Sequence, residues 1–393
     1  MTGPEKGGNP SFRDEVAVAF FLPNLEGGGA ERAIVTLANG ISELDVNVDL
    51  VLQEAVGPYL AEVLPGVRVV NLSSKGKLRT IFRLVTYLAR CAPQTMMSSL
   101  DLSNMQMIVA AKLARFKGRT VVSQRATVAA VYSPISWIHN WAYKCGIRFT
   151  YPFADFVISN SCAAADEIRT MSGVAADKVV TIHNGVDSER ISRLSNEPLQ
   201  DDWFLRGHGP LILSVGSVTA RKDMGTLVKA FALMAAKTKV RLSIIGESYE
   251  PSEFRKIKRM IADFGLIESV HLPGFDPNPY KWMAAAAVVV SASTAEGCPN
   301  VIAEALALDR AIVATDCPGD TAVLLGHGKW GRIVPVGDSE RMADAILAAL
   351  DDPNAPNGRI RAADFSPDHN LGAYLRVLLP GFVAESTGLR QPS

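Results

Sequence analysis

Five cysteines, Cys91, Cys145, Cys162, Cys298 and Cys317, are scattered through 393 residues without a CxxC pair. That number and spacing exclude a disulfide framework and a zinc knuckle, and they point to a reducing compartment. The six histidines show no metal-ligand spacing with one another, and no DxD triplet is present. Net charge is lacking too: 40 basic side chains offset 40 acidic ones, so nothing argues for nucleic acid and any basic surface must be local. Long apolar runs are also absent. The longest, at 16–22 and 283–290, fall far below the ~18–20 residues that cross a bilayer. Residues 1–15 are polar and lack the basic and apolar regions of a signal peptide, so the expectation is a cytoplasmic protein.

What the chain does contain is a series of short, unalternating apolar runs between helical segments, the pattern of parallel strands buried on both faces. In the first half these lie at 16–22, 46–52, 96–99, 120–123, 156–159 and 179–183. Periodicity is lost across 187–210, which reads as an interdomain linker. The pattern then restarts with strands at 211–215, 240–245, 270–272, 287–291, 312–315 and 332–335, and helices at 224–234, 252–264, 299–308 and 339–350. Both halves predict α/β, Rossmann-like, doubly wound domains, at 1–190 and 208–365, leaving a segment at 366–393. Ligands of such sheets bind beyond the carboxyl ends of the strands, so two facing domains define a central cleft and the chemistry belongs in the strand-to-helix loops.

The first of these loops carries Gly27, Gly28 and Gly29 between a strand and a helix. Glycines let backbone approach a ligand closely, and the free N–H groups of the next helical turn favour an anion. The spacing is not GxGxxG, which argues against a dinucleotide oxidoreductase. A second loop runs from Glu296 through Gly297, Cys298, Pro299, Asn300 and Val301 to Glu304. Pro299 suits the first helical position, so Gly297, Cys298, Asn300 and Val301 can present backbone N–H groups to a phosphate. Glu304 shares a helix face with Asn300, and carboxylates suit the hydroxyls of a sugar and a ribose. A third loop sets Arg221 and Lys222 beside Ser217, where two cations can neutralise a diphosphate. For each loop the alternative is structural: a tight turn, a charge near a helix start, or a solvated loop. His183, at a strand end, reads as a structural histidine.

Taken together, GGGAER, TIHNGVD, SVGSVTARKDMGTLVKAF, LPGFDPNP, IVATDCPGD and above all the Glu-x7-Glu motif EGCPNVIAE resemble the family-4-type (GT4) retaining glycosyltransferases of the GT-B fold. The resemblance implies transfer of a hexose or N-acetylhexosamine from a nucleotide-diphosphate sugar, a UDP-sugar favoured over a GDP-sugar, to a hydroxyl on a glycan, lipid-linked or small-molecule acceptor. It implies no cofactor and no metal. Glu296 would contact the transferred sugar and Lys222 the diphosphate, as catalytic residues; Glu304 would hold the ribose. Gly297, Cys298, Pro299, Asn300 and Val301 would bind the donor, with Gly28 and Gly29 closing over it. Asn104 and Arg125 match weaker family positions on the acceptor side, and 366–393 would cross back to the first domain. Two positions depart from the pattern. Ser217 stands where the family often has arginine, leaving Arg221 to replace that contact, and Gly246-Glu247-Ser248 replaces a GxG turn. The Ser217 departure keeps open a non-catalytic sugar-nucleotide-binding subunit; a nucleotide-sugar epimerase or hydrolase is the other alternative.

Lys75, Lys77, Arg79, Arg83 and Arg90 interleave with Leu78, Ile81, Phe82, Leu84, Val85, Tyr87 and Leu88, and the stretch at 137–144 is rich in aromatics. Such segments can lie on an anionic membrane, here on its inner face; the alternative is an ordinary surface helix with a solvated basic side.

Overall fold

The computed structural model describes residues 15–26, 29–125, 137–352 and 357–382. In the first half, β1 (Val18–Leu22), β2 (Val48–Leu52), β3 (Val67–Asn71), β4 (Thr95–Ser99), β5 (Arg119–Gln124), β6 (Phe156–Ser159) and β7 (Val179–Thr181) form one parallel sheet in the order β3-β2-β1-β4-β5-β6-β7. Every residue of β1, β2 and β4 is buried. Side chains alternate across a strand, so Ala19 and Phe21 enter one core while Val18, Phe20 and Leu22 enter the other. The second of these cores is covered by α1 (Gly29–Ser42); the first is covered by α2 (Lys77–Cys91), α3 (Asp101–Leu113), α4 (Trp137–Thr150) and α5 (Cys162–Ser172). The strand missing from the sequence reading is β3. It is an edge strand in which only Val67 is buried and Arg68 and Asn71 interrupt the valines, so it has no continuous apolar run.

The segment 187–210 is not a structureless linker. It holds α6 (Ser188–Ser195) and α7 (Asp202–Arg206), whose first turns are capped by the Asp187 and Asp201 carboxylates. Helices of eight and five residues are too short for periodicity to register, and only Ile191 of the two is buried.

The second sheet contains β8 (Leu211–Val215), β9 (Arg241–Ile245), β10 (Val270–Gly274), β11 (Val288–Ser291), β12 (Ala311–Thr315) and β13 (Arg332–Val334) in the parallel order β10-β9-β8-β11-β12-β13. Around it lie α8 (Met224–Ala235), α9 (Pro251–Asp263), α10 (Tyr280–Ala285), α11 (Asn300–Ala307), α12 (Thr321–Leu324), α13 (Ser339–Leu350) and α14 (Gly358–Ala363). In each sheet the chain reverses its direction of winding once, between β1 and β4 and between β8 and β11, and each reversal opens a crevice at the carboxyl ends.

The last helix, α15 (Pro367–Leu378), packs on the first sheet. Tyr374, Leu375 and Leu378 share a core with Phe20 and Ile34, and the Thr95 hydroxyl donates to the Leu378 carbonyl at 2.6 Å. Burial of these apolar side chains, at ~25 cal/mol per Å², ties the end of the chain to its beginning.

Candidate functional site

Close approach of backbone shapes the floor of the second-domain crevice. Gly216 and Gly246, with φ of 152° and 153°, end β8 and β9, and a Cβ on Gly246 would fall 2.1 Å from the Gly216 carbonyl oxygen. Beyond Gly216 the chain makes a single turn at 220–222 that delivers Arg221 and Lys222. Asp223, in the left-handed region, then caps α8 by accepting from the Thr226 N–H at 3.2 Å and its hydroxyl at 2.6 Å.

Glu296 gathers both cations. It is 6% exposed; Lys222 Nζ lies 2.6 Å from Oε1, Arg221 Nη1 lies 2.9 Å from Oε2, and the Ser293 hydroxyl donates to Oε1 at 2.6 Å. Burial alone would push the Glu296 carboxyl up, but Lys222 and Arg221 hold it below the usual glutamate range. Both oxygens are therefore engaged by side chains of the protein, and one carboxylate leaves two cations with a net positive charge. The loop itself is pinned by 318–320: Glu296 N–H donates to the Pro318 carbonyl, and a Cβ on Gly319 would fall 2.0 Å from the Glu296 carbonyl oxygen.

Directly after this loop α11 begins. Pro299 is its cap residue, extended at φ −73° and ψ 102°, and Asn300 opens the helix; the expected first-turn position for Pro299 is corrected by one residue. Asn300 Oδ1 accepts from Asn184 Nδ2 at 2.8 Å, while Val301 turns into the second-domain core. Burial pushes the Cys298 thiol up to about 12, so it stays protonated. Further along, Glu304 accepts from the Tyr280 hydroxyl at 3.1 Å; burial raises its carboxyl above the usual range, tempered by that hydrogen bond and by Arg32 of α1 across the cleft.

A cavity of about 330 Å³ lies between the domains at this point. Gly29, Ala30, Arg125, Asn160 and Asn184 line it from the first domain; Arg221, Glu296, Gly297, Cys298 and Asn300 line it from the second. A larger cavity, of about 1110 Å³, lies beside the end of α15 and the amino ends of the first sheet, away from every one of these loops.

The remaining expected residues divide. Gly28 lies outside the described residues, whereas Gly29 is in the cavity wall. Ser217 is half-buried at the end of β8 and does not line the cavity, where Arg221 does. Lys222 is turned onto Glu296 rather than into the cavity. Asn104 is no acceptor contact: it is fully buried, accepting from the Ser98 hydroxyl and donating to the Ser123 carbonyl and Tyr151 hydroxyl. An amide spent on core partners has nothing left for a ligand.

Sequence reasoning missed Asn160, Asn184 and Asp320. Asp320 is 1% exposed and accepts from the Cys162 and Ala163 N–H groups at 2.7 and 3.2 Å; His183 Nε2 lies 2.8 Å away. Burial would raise its pKa, yet His183 and the two N–H groups hold it below the aspartate range. This second-domain residue thus caps α5 of the first domain and fixes the two halves at the cleft floor.

A model of the Glycosyltransferase Family 4 matches residues 27–190, and a model of the Glycosyl transferases group 1 matches residues 209–352, so the two matches divide the chain as its two sheets do. The chain is a GT4-type glycosyltransferase. It is 28% identical, over 85% of its length and 90% of the relative's, to the N-acetylgalactosamine-N,N'-diacetylbacillosaminyl-diphospho-undecaprenol 4-alpha-N-acetylgalactosaminyltransferase of Campylobacter jejuni. It is 30% identical to D-inositol 3-phosphate glycosyltransferase 1 of Catenulispora acidiphila over 51% of this chain and 50% of that one. In fold, this glycosyltransferase is similar to one from Rickettsia africae (TM-score 0.78, 17% identity, 93% and 98% of the chains covered). It is also similar to HepE of Anabaena solved with UDP (TM-score 0.76, 20% identity, 92% and 99% covered). These likenesses establish the GT-B architecture of two Rossmann-like domains.

Proposed function

We propose that this glycosyltransferase moves a hexose or N-acetylhexosamine from a UDP-sugar to a hydroxyl acceptor, with retention at the anomeric carbon and without a metal. The observation that carries the reading is the Arg221–Lys222–Glu296 triad set against the N-terminus of α11. Its two cations and the first-turn N–H groups supply positive charge where a diphosphate leaving group gains negative charge. That supports a reaction in which side chains take the part a metal plays elsewhere.

Retention follows from the GT4 resemblance, and the geometry bears on the route to it. Glu296 is the carboxylate in the cavity wall, and a carboxylate held by two cations and a hydroxyl is a poor nucleophile. The acceptor oxygen then attacks the anomeric carbon on the face from which the diphosphate departs. The C–O bond to phosphate breaks as the new glycosidic bond forms, and the hydroxyl proton passes to the departing phosphate oxygen. Glu304, beside Tyr280, suits the ribose hydroxyls. The UDP bound to Anabaena HepE and the N-acetylgalactosaminyl transfer named for the Campylobacter relative support the donor class. Calorimetry against UDP, GDP and ADP tests it: selective UDP binding is expected, and binding of none would overturn the reading.

The proposal extends to an acceptor presented at an anionic membrane surface. Among the described residues no helix is long and apolar enough to cross one. On α2, however, Leu78 and Phe82 are 73% and 67% exposed, flanked by exposed Lys75, Lys77, Arg79, Arg83 and Arg90. The helix starts at the carboxyl end of β3, on the cleft side of the sheet, so its apolar pair lies toward the cleft.

A further inference from the structure

Two buried polar atoms at the interdomain cavity have no partner among the described residues. Asn160 is 5% exposed; its Nδ2 donates to the Arg125 carbonyl at 3.0 Å, and its Oδ1 accepts from nothing. Arg125 donates from Nη1 to Asn184 Oδ1 at 3.2 Å, and its buried Nε donates to nothing. A folded protein rarely leaves such groups unsatisfied, and an orphaned acceptor and an orphaned donor on two residues lining one cavity define what would complete them. Phosphate or carboxylate accepts only, and would leave Asn160 Oδ1 unmet. A sugar hydroxyl both donates and accepts, and an acetamido group does so through its N–H and carbonyl.

Opposite these atoms is Gly297, where a side-chain carbon would stand 3.8 Å from Asn160 Oδ1. The backbone after Glu296 therefore closes against the Asn160 amide at the cavity wall. We propose that Asn160 and Arg125 read the hydroxyl or acetamido groups of the transferred sugar, so that the first domain selects the sugar while the second holds the nucleotide. The inference rests on the proposed UDP-sugar donor. It has a consequence that donor binding by the second domain alone does not: nucleotide affinity and sugar selectivity are separable by substitution.

Calorimetry of the full chain against UDP, UDP-glucose, UDP-galactose, UDP-N-acetylglucosamine and UDP-N-acetylgalactosamine tests it. Wild type is expected to bind one UDP-sugar more tightly than UDP. Asn160→Ala is expected to bind UDP within about twofold of wild type and to lose about tenfold for that sugar, as loss of a hydrogen bond to a buried group implies. Asn160→Asp keeps an acceptor oxygen but loses the donor to Arg125, and is expected to retain most of the preference. Equal losses in both variants would make Asn160 a strut for Arg125 and overturn the proposal. Unchanged UDP-sugar affinities in Asn160→Ala, or a wild type for which no sugar improves on UDP, would overturn it while leaving the donor reading standing. A wild type that binds no UDP removes the donor reading and this inference with it.

Discussion

Lys222 Nζ and Glu296 Oε1 lie 2.6 Å apart, so the first glutamate of the Glu-x7-Glu motif holds a cation from a loop 74 residues earlier. Arg221 occupies the other carboxylate oxygen. Glu296 acts here as a positioning residue for two cations, and removing it leaves both without their counter-charge. Glu296→Ala is expected to lower turnover about 10²–10³-fold, the range seen when one preorganised stabilising group is lost. The melting temperature should fall as well, because Lys222 is only 14% exposed and its charge then lacks a partner. A variant with full turnover would exclude the triad from the reaction.

The same carboxylate sets a pH dependence. With its folded pKa held low, Glu296 contributes stability that is present above the ordinary glutamate value of ~4.3 and is lost as pH falls through the folded value. Melting temperatures of wild type and Glu296→Gln should therefore differ at neutral pH and converge in strong acid. A difference that persists unchanged in acid would contradict the ion-pair origin.

Glu304 is expected to behave in the opposite sense. Burial raises its folded pKa, so its stability contribution is complete below the ordinary glutamate pKa and declines as pH rises through the raised value. Glu304→Gln keeps the shape and removes the cost of a buried charge, so at pH 7 the unliganded protein should melt higher. UDP should nevertheless bind more weakly, by about tenfold, because an amide replaces a carboxylate that accepts at both oxygens. Calorimetry and thermal unfolding on one preparation separate the two effects.

What the sequence disclosed follows from burial. Strands such as β1 and β2 are covered on both faces and appear as continuous apolar runs, whereas β3 at the edge does not. The loops were legible because glycine, proline and paired charges have local meanings at a strand end. Arg125 and Asn160 were harder, because the amide reaches the arginine's carbonyl across 35 residues and only the pairing of β5 with β6 brings them together. Asp320 meets Cys162 across 158 residues and has no local signature at all. Asn104 failed in the other direction: a polar residue at a motif position is occupied by core partners that the sequence does not reveal.

Asp320 provides a test of the interdomain contact. Asp320→Ala leaves the Cys162 and Ala163 N–H groups and His183 without their acceptor, a change expected to cost about 1–3 kcal/mol. Since the folded Asp320 pKa is depressed, this stability is present above the ordinary aspartate range and is lost as pH falls through the folded value. Denaturant unfolding of wild type and variant at neutral and acid pH checks both the size and the sign. An equal deficit at both pH values would mean that the contact does not depend on the aspartate's charge.

The membrane reading separates charge from apolar contact on α2. The Tyr87 hydroxyl donates to Asp49 at 2.7 Å, and Leu84 and Leu88 are buried, so the inner side of the helix is committed to the core. Leu78, Phe82, Arg79 and Arg83 face outward and can be replaced without disturbing it. Wild type is expected to co-sediment at low salt with phosphatidylcholine vesicles containing about one-third phosphatidylglycerol, and less with vesicles of phosphatidylcholine alone. Arg79→Glu with Arg83→Glu should reduce binding and its salt dependence, each cation near the surface being worth about 1 kcal/mol. Leu78→Ser with Phe82→Ser should weaken binding while keeping the salt dependence, because it removes apolar burial and leaves the charges in place. Binding that is indifferent to both pairs would place the membrane contact on another surface, and no sedimentation of wild type would remove the membrane from the reaction.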